Sequence, residues 1–381
     1  MLQQQESELG FKEIEDRIKA KIDSMIPRLK GKSPHTAPPN GIYDDNRTDA
    51  WTSGFWPGLL WLMYDRTGEE KYKSEAWAWD ARFEQHFIEP SQFHHDVGFQ
   101  FLPTAVFKHK VTGDEDAKRR GLEAANFLCG RFNLAGSFIR AWNPKPGEWN
   151  DGNEGWAIID CMMNLSLLFW ASEESGDPRF KHIAIAHADM ALRHFVREDG
   201  STRHICCFDP ETGAYTYELG GQGYAPGSAW SRGTAWALYG FANTYRFTKE
   251  ERYLQAAKRI SHFFLSQLNA DPVPLWDFRT DSPAQEPVDT SAGAIAASGL
   301  IELSKLVPAA ESGLYLESAK RMLAALSERY ATWDQPEHEA ILTHGTGNKP
   351  QNKNIGVSLI YGDYYFAEAV AKLNGWDRDI F

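Results

Sequence analysis

The stretch "WALYGFANTYRFTKEERYLQAAKRISHFFLSQL" (residues 236–268) decides the fold. Its first half is apolar on nearly every side. Its second half places Tyr253, Ala256, Ala257, Ile260, Phe263, Phe264 and Leu268 in one stripe at helical spacing. A helix apolar all round has to be buried, whereas a one-striped helix lies on a core with its other face in water. The stretch therefore reads as an inner helix turning back into an outer one. The design recurs at residues 56–80, 165–195 and 294–330, and more weakly at 107–132. Turns such as "TGEE", "TGDE" and "SGDP" supply the stops and starts. "SLIYGDYYFAEAVAKLNG" (358–375) reads as an inner helix whose outer partner is either missing or supplied by the N-terminal helix. With the N-terminal helix as that partner six pairs close a circle, which predicts an all-α fold: an (α/α)6 barrel, a six-hairpin toroid with short hairpins and loops at its open end. No internal linker interrupts the chain, so residues 1–381 are expected to form a single catalytic domain. The best candidate hairpin of strands is "GSTRHICCFDPETGAYTYE" (200–218).

Composition narrows the function. The net charge of −12 argues against a nucleic-acid binder. No run of about 18 apolar residues predicts a membrane span. The N-terminus is polar and lacks the basic start and apolar run of a secretory signal, so a cytoplasmic location is expected. Cys129, Cys161, Cys206 and Cys207 form no CxxC pair, and no structural disulfide is expected. Fourteen Trp, 14 Tyr and 22 Phe are unusually many; such rings either fill a large core or stack on sugars.

Two carboxylates stand in unusual company. Asp160 lies inside "GWAIIDCMMNLSLLFW" (155–170). On a continuous helix Trp156, Asp160 and Asn164 would share one face, and an aspartate so desolvated keeps a proton near neutral pH. It is read either as an acid group or as a structural side chain bonded to backbone or Asn164. Asp96 follows His94 and His95 in "SQFHHDVGFQF" (91–101). A metal is not expected there, because adjacent side chains rarely converge on one ion and no HExxH-like cluster accompanies them. The expectation is an acid group with imidazole partners, and no cofactor. A third piece, "GQGYAPGSAWSRGTAWALYG" (221–240), mixes Trp230, Arg232 and Trp236, with Ser228 or Ser231 as a helix start. Trp51, Phe55, Trp56, Trp142, Trp149 and Trp156 add aromatic surface; Trp51, Trp142 and Trp230 are the best candidates for a sugar platform.

These segments, with "WTSGFWPGLLWLMYDRTG", "HDVGF", "NEGWAIIDCMMNL", "PLWDF" and "DTSAGAIAASGL", resemble the motifs of unsaturated glucuronyl hydrolases, glycoside hydrolase family 88. The resemblance runs in order from about Thr48 to Tyr365. It implies a six-pair α/α barrel that removes 4,5-unsaturated glucuronic acid from the non-reducing end of lyase-generated oligosaccharides, by hydrating a vinyl ether. It places the acid/base on Asp160 and the second essential aspartate on Asp96. Substrate contacts fall on Trp51, His95, Trp142, His204, Gln222, Trp230, Arg232 and Trp236. Because the substrate carboxylate needs donors, Arg232 and His204 are assigned as the cations of the pocket, Arg232 alternatively reaching the adjoining sugar. The implied partner is an unsaturated uronyl oligosaccharide, such as a glycosaminoglycan fragment, handled by a monomer or homodimer. Members that favour sulfated substrates carry a Ser- and Lys-containing loop before the last helix; here Lys349 and Lys353 stand in a loop without serine. The rival readings are an unsaturated rhamnogalacturonyl hydrolase, a sugar 2-epimerase built on paired histidines, and a non-catalytic carbohydrate-binding toroid.

Overall fold

The computed structural model describes residues 2–148 and 150–381, with side chains from Gly10 onward; Trp149 lies outside the described residues. Fourteen helices follow in order: α1 (Leu2–Arg28), α2 (Phe55–Thr67), α3 (Glu70–Trp77), α4 (Asp80–Ile88), α5 (Val97–Phe101), α6 (Phe107–Thr112), α7 (Glu115–Cys129), α8 (Cys161–Ser175), α9 (Pro178–His194), α10 (Ser231–Thr248), α11 (Glu251–Ser266), α12 (Thr290–Leu306), α13 (Ala309–Arg329) and α14 (Ile360–Leu373). A π-helical turn (Leu102–Val106) joins α5 to α6, so these count as one interrupted element. The inner ring runs α2, α5/α6, α8, α10, α12, α14 and back to α2, each packed on the next. Outside it lie α3/α4, α7, α9, α11, α13 and α1. The last of these packs on α14 and closes the circle, so of the two readings of residues 358–375 the N-terminal helix is the partner.

The two ends of the barrel differ because their turns differ. Inner-to-outer connections are two-residue turns, and all but the extended Val307–Pro308 link between α12 and α13 share one repeated chemistry. Gly68, Gly113 and Gly176 adopt left-handed φ of 71°, 72° and 71° after the inner helix, where a side chain is disfavoured. Thr67, Thr112 and Ser175 each accept a bond from the N–H two residues on, at 3.2 Å. Asp114 and Asp177 then cap the outer helix through their side chains. The α10–α11 turn is the same motif with Lys249 forced to φ 58°.

Outer-to-inner connections are mostly longer and hold all eight short strands: β1 (Thr36–Ala37), β2 (Phe132–Asn133), β3 (Phe138–Ile139), β4 (Trp156–Ile158), β5 (Ile205–Phe208), β6 (Tyr215–Leu219), β7 (Gly345–Asn348) and β8 (Lys353–Leu359). They form antiparallel sheets ordered β1-β8-β7, β2-β3 and β4-β5-β6. The expected hairpin is β5-β6. The other strands escape a reading by alternation because most are two to four residues long.

Aromatic rings plug the barrel axis. Phe99 lies 5.8 Å from Phe55, 4.9 Å from Trp236 and 6.0 Å from Phe381 between ring centres. Tyr364 and Tyr365 pack on Phe381 from the side of α14. Much of the aromatic excess is thus core, and the funnel above it has a solid apolar floor. All four cysteines are unpaired. Among the described residues, no helix is long and apolar enough to cross a membrane.

Candidate active site

Asp160 does not sit within a helix. Trp156 belongs to β4, whose partner across the sheet is β5, and α8 begins only at Cys161, with Asp160 at its N-cap. The shared helical face expected of Trp156, Asp160 and Asn164 therefore does not exist: the sheet pairs residues 156–158 before the helix can start. The consequence expected of Asp160 survives by another route. Its Oδ2 is buried and has no hydrogen-bond partner among the described residues. Burial pushes its carboxyl up to about 7, against the opposing pull of the Arg232 charge and of its own backbone N–H. The Trp236 indole N–H also favours the carboxylate, yet makes no well-aligned bond.

Asp96 stands at the start of α5, the neighbouring inner element, and is itself buried. Asn164, one turn into α8, donates from Nδ2 to Asp96 Oδ1 at 3.1 Å and to the Asp160 carbonyl at 3.3 Å. Burial, then the charge of Asp160, hold the Asp96 carboxyl well above the usual range. Two carboxyls in one desolvated place cannot both ionise, so near neutral pH the pair is proton-rich. His95 Nε2 lies 3.1 Å from Asp96 Oδ1 and His94 Nδ1 lies 3.7 Å from Oδ2. These three side chains converge, contrary to the expectation for adjacent residues, with candidate ligand atoms within 4.8 Å of one another. Burial keeps both imidazoles neutral. Neither nitrogen of His95 makes a well-aligned hydrogen bond among the described residues, although the Ala141 backbone also acts on the ring, a pattern that sugar hydroxyls would satisfy.

The opposite wall comes from β5 and the loop before α10. His204 precedes β5, and its Nε2 faces Asp160 Oδ2 at 3.8 Å. The Gln222 N–H donates to His204 Nδ1 at 2.9 Å, with the Gly220 carbonyl also near at 3.0 Å. That carbonyl already accepts from Gly223, so the bond from Gln222 satisfies more groups and puts the ring proton on Nε2. Burial pushes the imidazole down to about 3. His204 is therefore a neutral donor, not the expected cation.

Aromatic rings complete the walls. His95 and Trp142 lie 6.2 Å apart, Trp142 and His204 6.3 Å, and His204 and Trp230 4.3 Å. Trp51 and Trp142 are half-buried and border a cleft of ≈ 400 Å³ with His94, Gln92, Asn143 and Lys145. Trp230 and Trp236 are buried, the latter as part of the floor. Gln222 reaches the Gly347 carbonyl at 3.2 Å.

Arg232 is the residue whose surroundings differ most from expectation. It is buried, stacked 4.6 Å from the Trp230 ring centre and 5.4 Å from that of Tyr361. Its Nη1 donates to Asp289 Oδ2 at 2.5 Å and to the Thr346 carbonyl at 2.7 Å; Nη2 donates to the Gly347 carbonyl at 2.7 Å. It thus ties β7 to α10 and α12, and much of its donor capacity is spent inside the protein. Asp289, unnoticed in the sequence, also caps α12 by accepting from Ser291. "DTS" before an apolar run signals a cap, but nothing local signals an arginine 57 residues away. In the loop before α14, Lys349 is paired with Glu286 at 2.5 Å, while Lys353 opens β8 on the exposed side.

Residues 18–381 match the model of Glycosyl Hydrolase Family 88. The chain is 36% identical over 351 residues to an unsaturated glucuronyl hydrolase of Bacillus sp. (strain GL1), covering 91% of this chain and 92% of that one. It is 37% identical to an unsaturated chondroitin disaccharide hydrolase of Streptococcus pyogenes serotype M1, over 84% of this chain and 80% of the relative. The crystal structure of the Bacillus sp. GL1 enzyme, described as responsible for glycosaminoglycan degradation, superposes with a TM-score of 0.90 at 35% identity, covering 95% and 96% of the two chains. A buried, proton-holding aspartate facing a neutral imidazole above an aromatic floor is thus set in a barrel shared along almost its whole length with these enzymes, and the chain belongs to glycoside hydrolase family 88.

Proposed function

We propose that the chain removes 4,5-unsaturated glucuronic acid from the non-reducing end of oligosaccharides left by polysaccharide lyases, including disaccharides of glycosaminoglycan type. The observation that carries the reading is Asp160: a buried aspartate whose carboxyl is pushed up to about 7, with one oxygen free of hydrogen-bond partners among the described residues. An unsaturated uronic acid offers a target suited to one such acid. Its C4=C5 bond is an enol ether, so a proton delivered to C4 leaves a cation at C5 that the ring oxygen stabilises. Asp160, now a carboxylate, takes a proton from water as that water adds at C5. The resulting hemiketal opens, and the former anomeric bond breaks as an unstable hemiacetal. An ordinary glycosidase instead needs two carboxyls placed across the anomeric carbon.

In this reading Asp96, itself protonated, orients sugar hydroxyls together with His95, and His204 donates from Nε2. Trp51, Trp142, Trp230 and Trp236 enclose the ring, while Arg232 contributes positive potential from behind its bonds to Asp289. Gln222 holds the tautomer of His204. One catalytic domain spanning residues 1–381 carries out the reaction. The four free thiols fit a reducing compartment such as the cytoplasm. Reaction in heavy water tests the mechanism. Deuterium should appear at C4 of the released sugar, oxygen from labelled water should enter at C5, and saturated glucuronides should stay intact. Prompt cleavage of a saturated glucuronide, or product without deuterium at C4, would return the chain to conventional glycoside chemistry.

A further inference from the structure

Asn164 is fully buried one turn into α8, between the two carboxyl-bearing residues. An amide could sit there in either of two orientations, but only one satisfies its neighbours. The Phe99 backbone N–H in the first turn of α5, which also reaches the Asp96 carbonyl at 3.0 Å, donates to Asn164 Oδ1 at 2.9 Å. That bond fixes the oxygen, and so turns Nδ2 toward Asp96 Oδ1 at 3.1 Å and the Asp160 carbonyl at 3.3 Å. The close approach of α5 to α8 that permits this depends on Gly98. A Cβ there would meet Asn164 Oδ1 at 2.5 Å and its Cα at 2.7 Å, well inside contact distance. The two inner elements are locked together at the point where their aspartates meet.

From this geometry we propose that Asn164 is a positioning residue for the hydrolysis, holding Oδ1 of Asp96 as a hydrogen-bond acceptor so that Oδ2 is the oxygen offered to the sugar. This inference rests on the reading of Asp96 given above. A protonated carboxyl accepts best through its carbonyl oxygen, so an amide that donates to Oδ1 favours the proton on Oδ2 and biases which oxygen donates. Asn164 touches no substrate in this scheme; it acts through Asp96.

Two substitutions separate positioning from bulk structure. In Asn164→Asp one oxygen still accepts from Phe99, and the other faces Asp96 Oδ1. When protonated it donates as the amide does; when ionised it repels. Asn164→Leu keeps the shape and donates at no pH. The other groups that face Asp96 are His94, His95, Asp160, Cys161, Arg131 and Tyr365, and all are unchanged between wild type and variants. The expected result with an unsaturated disaccharide is a kcat lowered by about 30-fold or more in both variants at pH 7, with KM changed by less than about threefold. From pH 7 to pH 5 the ratio of Asn164→Asp to wild type should rise by about tenfold, while that of Asn164→Leu stays flat. A ratio for Asn164→Asp that is flat with pH, or a kcat within about threefold of wild type, overturns the assignment. Failure of both variants to accumulate as folded protein also overturns it, in favour of a structural role. A wild type that turns over no unsaturated disaccharide would instead sink the proposed function itself.

Discussion

Asp160 shows how one residue's surroundings set its chemistry. At the N-cap of α8 the helix end favours a negative charge, yet burial outweighs it and the carboxyl is pushed up to about 7. Asp160→Asn should therefore lower kcat by about 10²-fold or more, as loss of a general acid does. Wild-type activity should fall as pH rises through about 7, because the reaction begins from the protonated acid. The same burial has a cost to folding with a definite sign. A carboxyl whose folded value lies above its unfolded one stabilises most below the unfolded value, and that contribution is lost as pH rises toward 7. The melting temperature of Asp160→Asn should thus gain on wild type by about 2–4 °C between pH 5 and pH 7.5. A difference that does not grow with pH would mean that Asp160 titrates as an ordinary exposed aspartate.

At the scale of elements, two fastenings decide how the rim and the closed end are held. Arg232 joins α10 to α12 and β7 through Asp289 and two carbonyls. Asp289→Ala would leave a buried guanidinium without its carboxylate, and breaking such a pair costs about 3–5 kcal/mol. Urea unfolding of Asp289→Ala should show that loss, and a variant as stable as wild type would mean that Arg232 finds its counter-charge elsewhere. At the closed end the repeated turn makes opposite predictions for two positions. Gly176→Ala forces a side chain into φ 71° and should destabilise by about 1 kcal/mol. Lys249→Gly relieves the same strain at φ 58° and should be neutral or stabilising by up to about 1 kcal/mol. Equal effects at the two sites would show that the turns are held by something other than backbone conformation.

For the molecule as a whole, closure of the ring rests on α1. Its apolar stripe of Ile18, Ile22 and Met25 is fully buried. Arg66 grips Glu15 at 2.6 Å, and Lys21 reaches the Gln335 carbonyl at 2.9 Å from across the chain. If α1 is the sixth outer helix, Ile22→Ala should behave as a core truncation and cost about 2–5 kcal/mol. The loss should appear in a single cooperative thermal transition. A separate early transition for α1 would show that the remaining barrel folds without it.

The pairing of inner and outer helices could be read directly from residues 236–268 because burial all round and burial on one stripe leave different periodicities in a sequence. The "TG-acidic" turns were equally plain, since each demands particular residues within a few positions. Local chemistry likewise singled out Asp160, Asp96 and the tryptophans. What the chain alone left undecided concerns partners distant along it. Trp156 looked helical because its pairing strand, β5, lies some fifty residues away, and the sheet claims 156–158 before a helix can form. His204 and Arg232 both read as pocket cations, yet burial holds His204 neutral and Asp289 already pairs with Arg232. Periodicity and turn propensity are properties of neighbours in sequence. Proton affinity and the pairing of a buried charge depend on what the closed ring brings within a few ångströms, and only the tertiary structure decides that.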